Sequence, residues 1–316
     1  MSSAEDKSAG GQDKRHHVPA ASIGYFAEHP VLERLRKSIV AVHRLGPDVT
    51  FMTKAENVGF GRDLYRGEMI EGLDNDRYFA SFERLAHAPV DAIDASPSGE
   101  LPADAWVAVA AYITSQFTRA PDLERSLDEL AEETGIPRER IDVGYAMNTQ
   151  RVASAVFRAR WEFFRSDNID FILNDRAIAA LRYGDWDMFG YWIPLRKRLG
   201  VRLAGGPYPK RLYRGDGSWK IDIPITTIED LQVENLNRWT WCGAVDEVYG
   251  PSTAQLGEVK HQAAPMINDV QDTARHIEGA GLLTLPQSQR RDDEWLLFSL
   301  LGGIADPDTE EDERTI

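Results

Sequence analysis

The sequence predicts an α+β fold in which a mostly helical first half, opened by a β-hairpin, is followed by a small antiparallel sheet. Three observations carry this prediction. Residues 38–44 (SIVAVHR) alternate in the two-residue period and are joined through GPD to the β-branched VTFMTK at 49–54. Helical spacing then runs from residue 75 to about 165, and after Asp167-Asn168 short apolar runs alternate with turn residues. Strands do not alternate regularly with helices, which excludes a doubly wound sheet.

Residues 1–14 are rich in Ser, Ala, Gly, Lys and Asp and too poor in apolar side chains to join a core, so a disordered N-terminal tail is expected. After the hairpin, ENVGFGRDLYRG reads as a loop. NDRYFASFERLAHA (75–88) sets Tyr78, Phe82 and Leu85 at helical spacing. Pro102 stands where a helix starts, and DAWVAVAAYITSQFTR behind it is apolar almost all round, the pattern of a buried helix ended by Ala120-Pro121. Two more helical patterns follow at about 122–134 and 146–165. DFIL (170–173), AIAAL (177–181), FGYWIPL (189–195) and GVRLAG (200–205) read as antiparallel strands. TTIEDLQVENLNRWTWCGA (226–244) returns to helical spacing, with Ile228, Leu231, Leu236 and Trp239 on one face and Thr227 as its cap, and DEVYG closes as a short strand. The expected organisation is a single domain over 15–250, a C-terminal extension over 251–304 and an acidic tail over 305–316. Within the extension, DEWLLFSLLGG is an apolar helical patch expected to dock on the body or on a second subunit, making the 292–303 helix a candidate homo-oligomer contact.

Composition narrows the function. The 316 residues contain no run approaching the roughly 20 apolar residues of a membrane span, and the N-terminus lacks the apolar core of a signal peptide. A cytoplasmic protein with no membrane partner is expected. The only cysteine, Cys242, excludes an internal disulfide and multi-cysteine metal sites, so any metal must be held by His and carboxylates. It lies in RWTWCGA, a setting for a buried inert thiol. Phosphate-loop, dinucleotide, serine-hydrolase and zincin motifs are absent from the sequence. The formal charge is -15, yet 182–220 carries nine Lys/Arg and three Asp, so one basic segment sits in an acidic protein. The tail ADPDTEEDERTI reads as solvated, or as a polyanion mimic lying against that segment.

Several short segments, taken in order from about residue 14 to 250, resemble the bacterial family labelled domain of unknown function 4238. KRHHVPAASIGYF is similar to its H-x-V-P…F start, through His17, Val18, Pro19 and Phe26, and ENVGFGRDLYRG to the segment matched by Asn57 and Tyr65. FERLAHAP carries Glu83 where that family has a glutamate on its first helix, and ITSQFTRAP resembles its Q-x-x-R-T/A-P helix end, through Gln116, Arg119 and Pro121. DFILNDRAIAAL resembles its F-I-T-S-D-x-P-V turn, placing Asp175 at the aspartate, YWIPLRKRLGVRL resembles its hairpin, and VENLNRWTWCGAVDEVYG its ending, through Asn237 and Tyr249. One departure matters: Asn174-Asp175-Arg176-Ala177 lacks the proline that would stiffen the turn around the aspartate. The family name supplies no established activity, so the chemistry is read from the residues.

His17, Glu83, Arg119, Asp175 and Asn237 are the polar residues at these positions, drawn from five separated segments. Burying them is costly unless they satisfy one another or a ligand, which makes them the candidate site. The first reading is a metal-assisted hydrolase, or nuclease, of a phosphodiester or nucleotide. His17, Glu83 and Asp175 would ligate Mg²⁺, Mn²⁺ or Zn²⁺, with Arg119 clamping a phosphate and Asn237 orienting it. The plainer reading of the same residues is a core ion pair between Arg119 and Glu83 or Asp175, with His17 as a capping or core histidine and His16 on the surface. A second function class is a non-catalytic module gripping nucleic acid or a nucleotide with Arg196, Lys197, Arg198 and Arg202 and stacking on Trp192. Against it, antiparallel strands place aromatics in the core and cations in water. A third is a partner protein working through the 292–303 helix and the acidic tail.

Overall fold

The computed structural model describes residues 14–62, 68–70, 73–96, 100–119, 121–138, 140–141, 152–153, 156, 159–183, 188–204, 211–215, 218–223, 225–266 and 314–315. In chain order these form β1 (Lys14–His16), α1 (Ala20–Gly24), β2 (Ile39–Arg44), β3 (Val49–Lys54), β4 (Phe60–Arg62), β5 (Glu68–Ile70), β6 (Leu73–Asp74) and α2 (Asn75–Ala95). Then come β7 (Glu100–Pro102), α3 (Ala103–Phe117), α4 (Pro121–Thr134), β8 (Arg160–Arg165), β9 (Leu173–Asn174), β10 (Ala179–Tyr183), β11 (Met188–Arg196) and β12 (Leu199–Ala204). The chain continues through β13 (Arg211–Gly215), β14 (Ser218–Asp222), β15 (Ile225–Thr227), α5 (Asp230–Cys242), β16 (Glu247–Gly250), α6 (Thr253–Ala263) and β17 (Arg314–Thr315). The α+β class is as the sequence predicts, and β2 and β3 form the expected hairpin, with His43 opposite Thr50.

A five-stranded sheet in the order β10-β11-β12-β8-β15 divides the core. On one face, Val90 and Ile93 of α2 and Trp106 and Ile113 of α3 pack on Trp161, Phe163, Ile193 and Val201. On the other, Leu181 and Trp192 meet Val40, Val42 and Tyr249 of the four-stranded sheet β3-β2-β16-β9, together with Val233 and Leu236 of α5. A third apolar cluster joins Ala41, Ile172 and Val248 to Trp241 and Cys242 of α5 and Leu256 and Val259 of α6. Gly200 lets β12 pass over Trp192: a Cβ there would meet the indole at 2.2 Å. Among the described residues no helix is long and apolar enough to cross a membrane.

Several expectations are corrected. RWEFFR is strand β8, inside the sheet between β12 and β15, and not the end of a helix over 146–165. Its apolar side chains fall at period two, Trp161 and Phe163 buried and Arg160 and Glu162 half-buried. The loop ENVGFGRDLYRG contains β4, which pairs with β1. The buried face of α2 is Phe79, Ala86, Val90 and Ile93, whereas Leu85 is 61% exposed. In α5 Leu231 faces solvent, and the cap is Glu229, whose backbone N–H donates to Gln232 Oε1 at 3.0 Å; Thr227 belongs to β15. The patch DEWLLFSLLGG and all of the acidic tail but Arg314 and Thr315 lie outside the described residues, as do Tyr65 and most of 146–158. Those two residues pair with β13, a strand of the basic segment.

Candidate functional site

The end of α3 is where the sequence-predicted residues meet. Helix α3 turns polar in its last turns, so that Thr114, Ser115, Gln116, Thr118 and Arg119 are all buried. A helix C-terminus leaves carbonyls without intrahelical partners and concentrates negative partial charge, and a cation there answers both. Arg119, 2% exposed, does this: Nε donates to Ser115 O at 3.2 Å, and Nη1 to Glu83 Oε1 of α2 at 2.6 Å. Its guanidinium also lies 5.0 Å from the Phe79 ring centre, one helical turn before Glu83.

His17 reaches the same corner from the N-terminal side. Its backbone N–H is fixed on Gly59 O at 2.8 Å, and its ring Nδ1 lies 3.3 Å from Arg119 O. A carbonyl can only accept, so Nδ1 carries the proton and Nε2 keeps its lone pair, an assignment made from the hydrogen-bond network. Burial lowers the His17 pKa, outweighing the hydrogen bond to Arg119 O, which raises it; the Arg119 charge acts with burial, and Asp246 and Glu247 act against it. The ring is therefore neutral at neutral pH. His16, expected on the surface, is instead desolvated, with its pKa lowered to about 4 by burial first and then by Arg36. Its ring packs edge-on against Phe60, and Nδ1 is buried with no hydrogen-bond partner among the described residues. Gln116, 1% exposed, donates through Nε2 to Ser115 Oγ at 3.2 Å while its buried Oε1 has no partner among the described residues. An unpaired buried acceptor is costly, which sets these two apart from the satisfied groups around them.

Asp175 and Asn237 stand elsewhere, and both serve the backbone. Asp175 is 3% exposed and accepts three N–H groups, from Val245 at 2.9 Å, Asp246 at 2.6 Å and Glu247 at 3.1 Å. Burial pushes its pKa up to about 6 against the pull of those three donors. Asp175 thus fixes the turn into β16, the segment whose Asp246 and Glu247 bear on His17, and it acts as a positioning residue. Glu247 is itself tied down, accepting from Gly59 N–H at 3.0 Å, Tyr249 Oη at 2.9 Å and Arg44 Nε at 2.9 Å. Asn237 Oδ1 accepts from Ile172 N–H and its Nδ2 donates to Asp170 O, both at 3.0 Å, which holds the approach to β9. The set His17, Glu83 and Asp175 is therefore not brought together as metal ligands. Among the described residues no group of three His, Cys, Asp or Glu side chains is placed to hold a metal ion.

Four cations of the basic segment, Arg196, Lys197, Arg198 and Arg202, are also spent internally. Residues 196–198 do form the β11–β12 hairpin tip, but Arg196 is 6% exposed, with Nε and Nη2 on Asp91 Oδ1 at 2.8 and 2.7 Å and its guanidinium 3.5 Å from the Tyr25 ring centre. Lys197 Nζ donates to Glu28 O at 2.8 Å, Arg198 pairs with Asp170, and Arg202 pairs with Glu162. Trp192 is fully buried between Phe164 and Phe171, so it offers no face to a base. Cys242 is a buried thiol raised to about 11, as an inert core residue should be.

Sequence reasoning missed His16, Asp246 and Glu247. Gln116 and Tyr249 stood in the quoted motifs without a role, and the double histidine was the available signal for His16. No protein-family model matches the chain, and no curated protein or solved structure is significantly similar to it.

Proposed function

We propose that the chain binds a phosphate-bearing small molecule, of the nucleotide or short phosphodiester class, at the corner formed by His17, Glu83 and Arg119, and hydrolyses it with His17 as the base. The observation that carries this reading is the tautomer of His17. With Nδ1–H engaged by Arg119 O and the ring kept neutral by burial, Nε2 is the basic nitrogen suited to take a proton from an attacking water. The Arg119 guanidinium, held in place by Glu83, supplies positive charge beside it for phosphoryl oxygens. The resemblance to the family of domain of unknown function 4238 belongs to the same reading, since His17, Glu83 and Arg119 stand at its motif positions. No step is assigned to a divalent ion, because the three expected donors do not converge. A nucleic-acid grip by the 182–220 segment has less support, since Arg196, Lys197, Arg198 and Arg202 already have partners within the chain.

The test is hydrolysis of bis-p-nitrophenyl phosphate and of nucleoside triphosphates, with and without Mg²⁺, Mn²⁺ or Zn²⁺. Turnover is expected, and His17→Gln is expected to lower it at least about a hundredfold, the usual contribution of a positioned base, while the melting temperature holds. Activity that survives in His17→Gln, or wild-type protein inert toward the whole panel, would remove the proposal.

A further inference from the structure

The four-stranded sheet β3-β2-β16-β9 ends, among the described residues, on β3. Proteins normally blunt such an edge with a proline, a bulge or an inward-pointing charge, because its unpaired N–H and C=O groups template another strand. VTFMTK has only a terminal lysine, Lys54, against such pairing: it contains no proline, and its register against β2 runs without a shift from Val49 opposite Arg44 to Lys54 opposite Ile39. Its side chains are also unusually apolar for an edge, with Val49 45% and Met52 47% exposed and Ile39 of the neighbouring strand 47% exposed.

The strand is complementary to itself. When a second VTFMTK is laid antiparallel about a twofold axis through Phe51, Phe51 meets its own copy, Met52 faces Thr50, and Val49 faces Thr53. One residue before Val49 the chain leaves the strand at Asp48, a turn residue with φ 55°, so the ladder ends at Val49 and Lys54 of each copy reaches past it toward the turn that carries Asp48 of the other. Asp48 is 62% exposed; its Oδ1 is shared by His43 and Lys260, and no hydrogen bond to Oδ2 is present among the described residues. Lys54 is exposed. In this register no like charges oppose each other, and the cation at the end of each strand approaches a turn that carries a carboxylate.

We propose that β3 is a homodimer interface, in which two copies join edge to edge and the two four-stranded sheets become one continuous eight-stranded sheet. The occupant is a second copy because the strand supplies both halves of the side-chain pairing, with Phe51 on Phe51, Met52 on Thr50 and Val49 on Thr53, and brings the Lys54 cation of each copy toward the acidic turn of the other. A contact built on six residues a side buries less than the ~1,200 Å² of a stable complex, so the dimer is concentration-dependent, with a dissociation constant on the order of micromolar. The contact is independent of the His17 corner.

Sedimentation velocity of the full chain over a concentration series tests it. A monomer–dimer equilibrium is expected, with Lys54→Glu and Met52→Glu each shifting it to monomer at least tenfold in concentration while the melting temperature is kept. Both side chains are exposed, so folding does not confound the result. Amide exchange over 49–54 should slow as concentration rises. A chain that stays monomeric throughout overturns the proposal. A dimer indifferent to both substitutions also overturns it, and loss of that dimer on deleting 267–316 would assign the contact to the C-terminal segment.

Discussion

Replacing Asp175 by alanine is expected to destabilise the protein by about 3 kcal/mol, near one kcal/mol for each backbone N–H left without its acceptor. The three donors, from Val245, Asp246 and Glu247, lie in a half-exposed turn, so water can take over part of the lost bonding and the figure stays at the lower end for buried donors. Asp175→Asn keeps one acceptor oxygen and is expected to lose roughly half as much. Denaturant unfolding measures both. The substitutions also loosen the segment that carries Asp246 and Glu247 toward His17, so any hydrolytic activity should fall together with stability. An Asp175→Asn protein with wild-type stability and no turnover would instead make Asp175 a catalytic group.

The Arg119–Glu83 pair gives the second large effect. Removing the guanidinium in Arg119→Met strips the cap from Ser115 O and leaves Glu83, whose side chain is 19% exposed, facing an apolar partner. Breaking a buried pair from one side costs about 3–5 kcal/mol. Glu83→Gln keeps an acceptor for Nη1 and is expected to cost less, about 1–2 kcal/mol, because one hydrogen bond loses its charge assistance. The difference between the two variants, read from unfolding curves, separates an asymmetric cap-and-clamp from a simple surface pair. In a surface pair both losses would be under about 1 kcal/mol.

The hairpin and the helices were legible in the sequence because local pattern decides them: alternation in SIVAVHR and VTFMTK, and helical spacing behind Pro102. Strand β8 is ambiguous in sequence because RWEFFR carries three aromatic residues in six, enough to fit either period in so short a run. Its correct sign, charged Arg160 and Glu162 alternating with Trp161 and Phe163, emerges only against the neighbouring strands. The exposure of Leu85 and Leu231 has a similar origin, since spacing fixes a face but not which of two adjacent stripes meets the core. At the site, motif order brought His17, Glu83 and Arg119 to attention, and these do meet. Asp175 and Asn237 stood out equally as buried polar residues, yet their partners are main-chain groups, which no side-chain pattern reveals. Arg196 stands in the sequence as a candidate nucleic-acid contact because nothing local announces Asp91 and Tyr25 closing over it.

The most direct test of the ligand site is a histidine-resolved NMR titration of the full chain with adenosine 5′-monophosphate. The ring signals of His17 and His16 are expected to move with saturating behaviour, those of His43 and His29 to stay fixed, and the free His16 ring to titrate near pH 4. Saturable movement confined to other histidines, or none at all, would contradict a phosphate site at the end of α3.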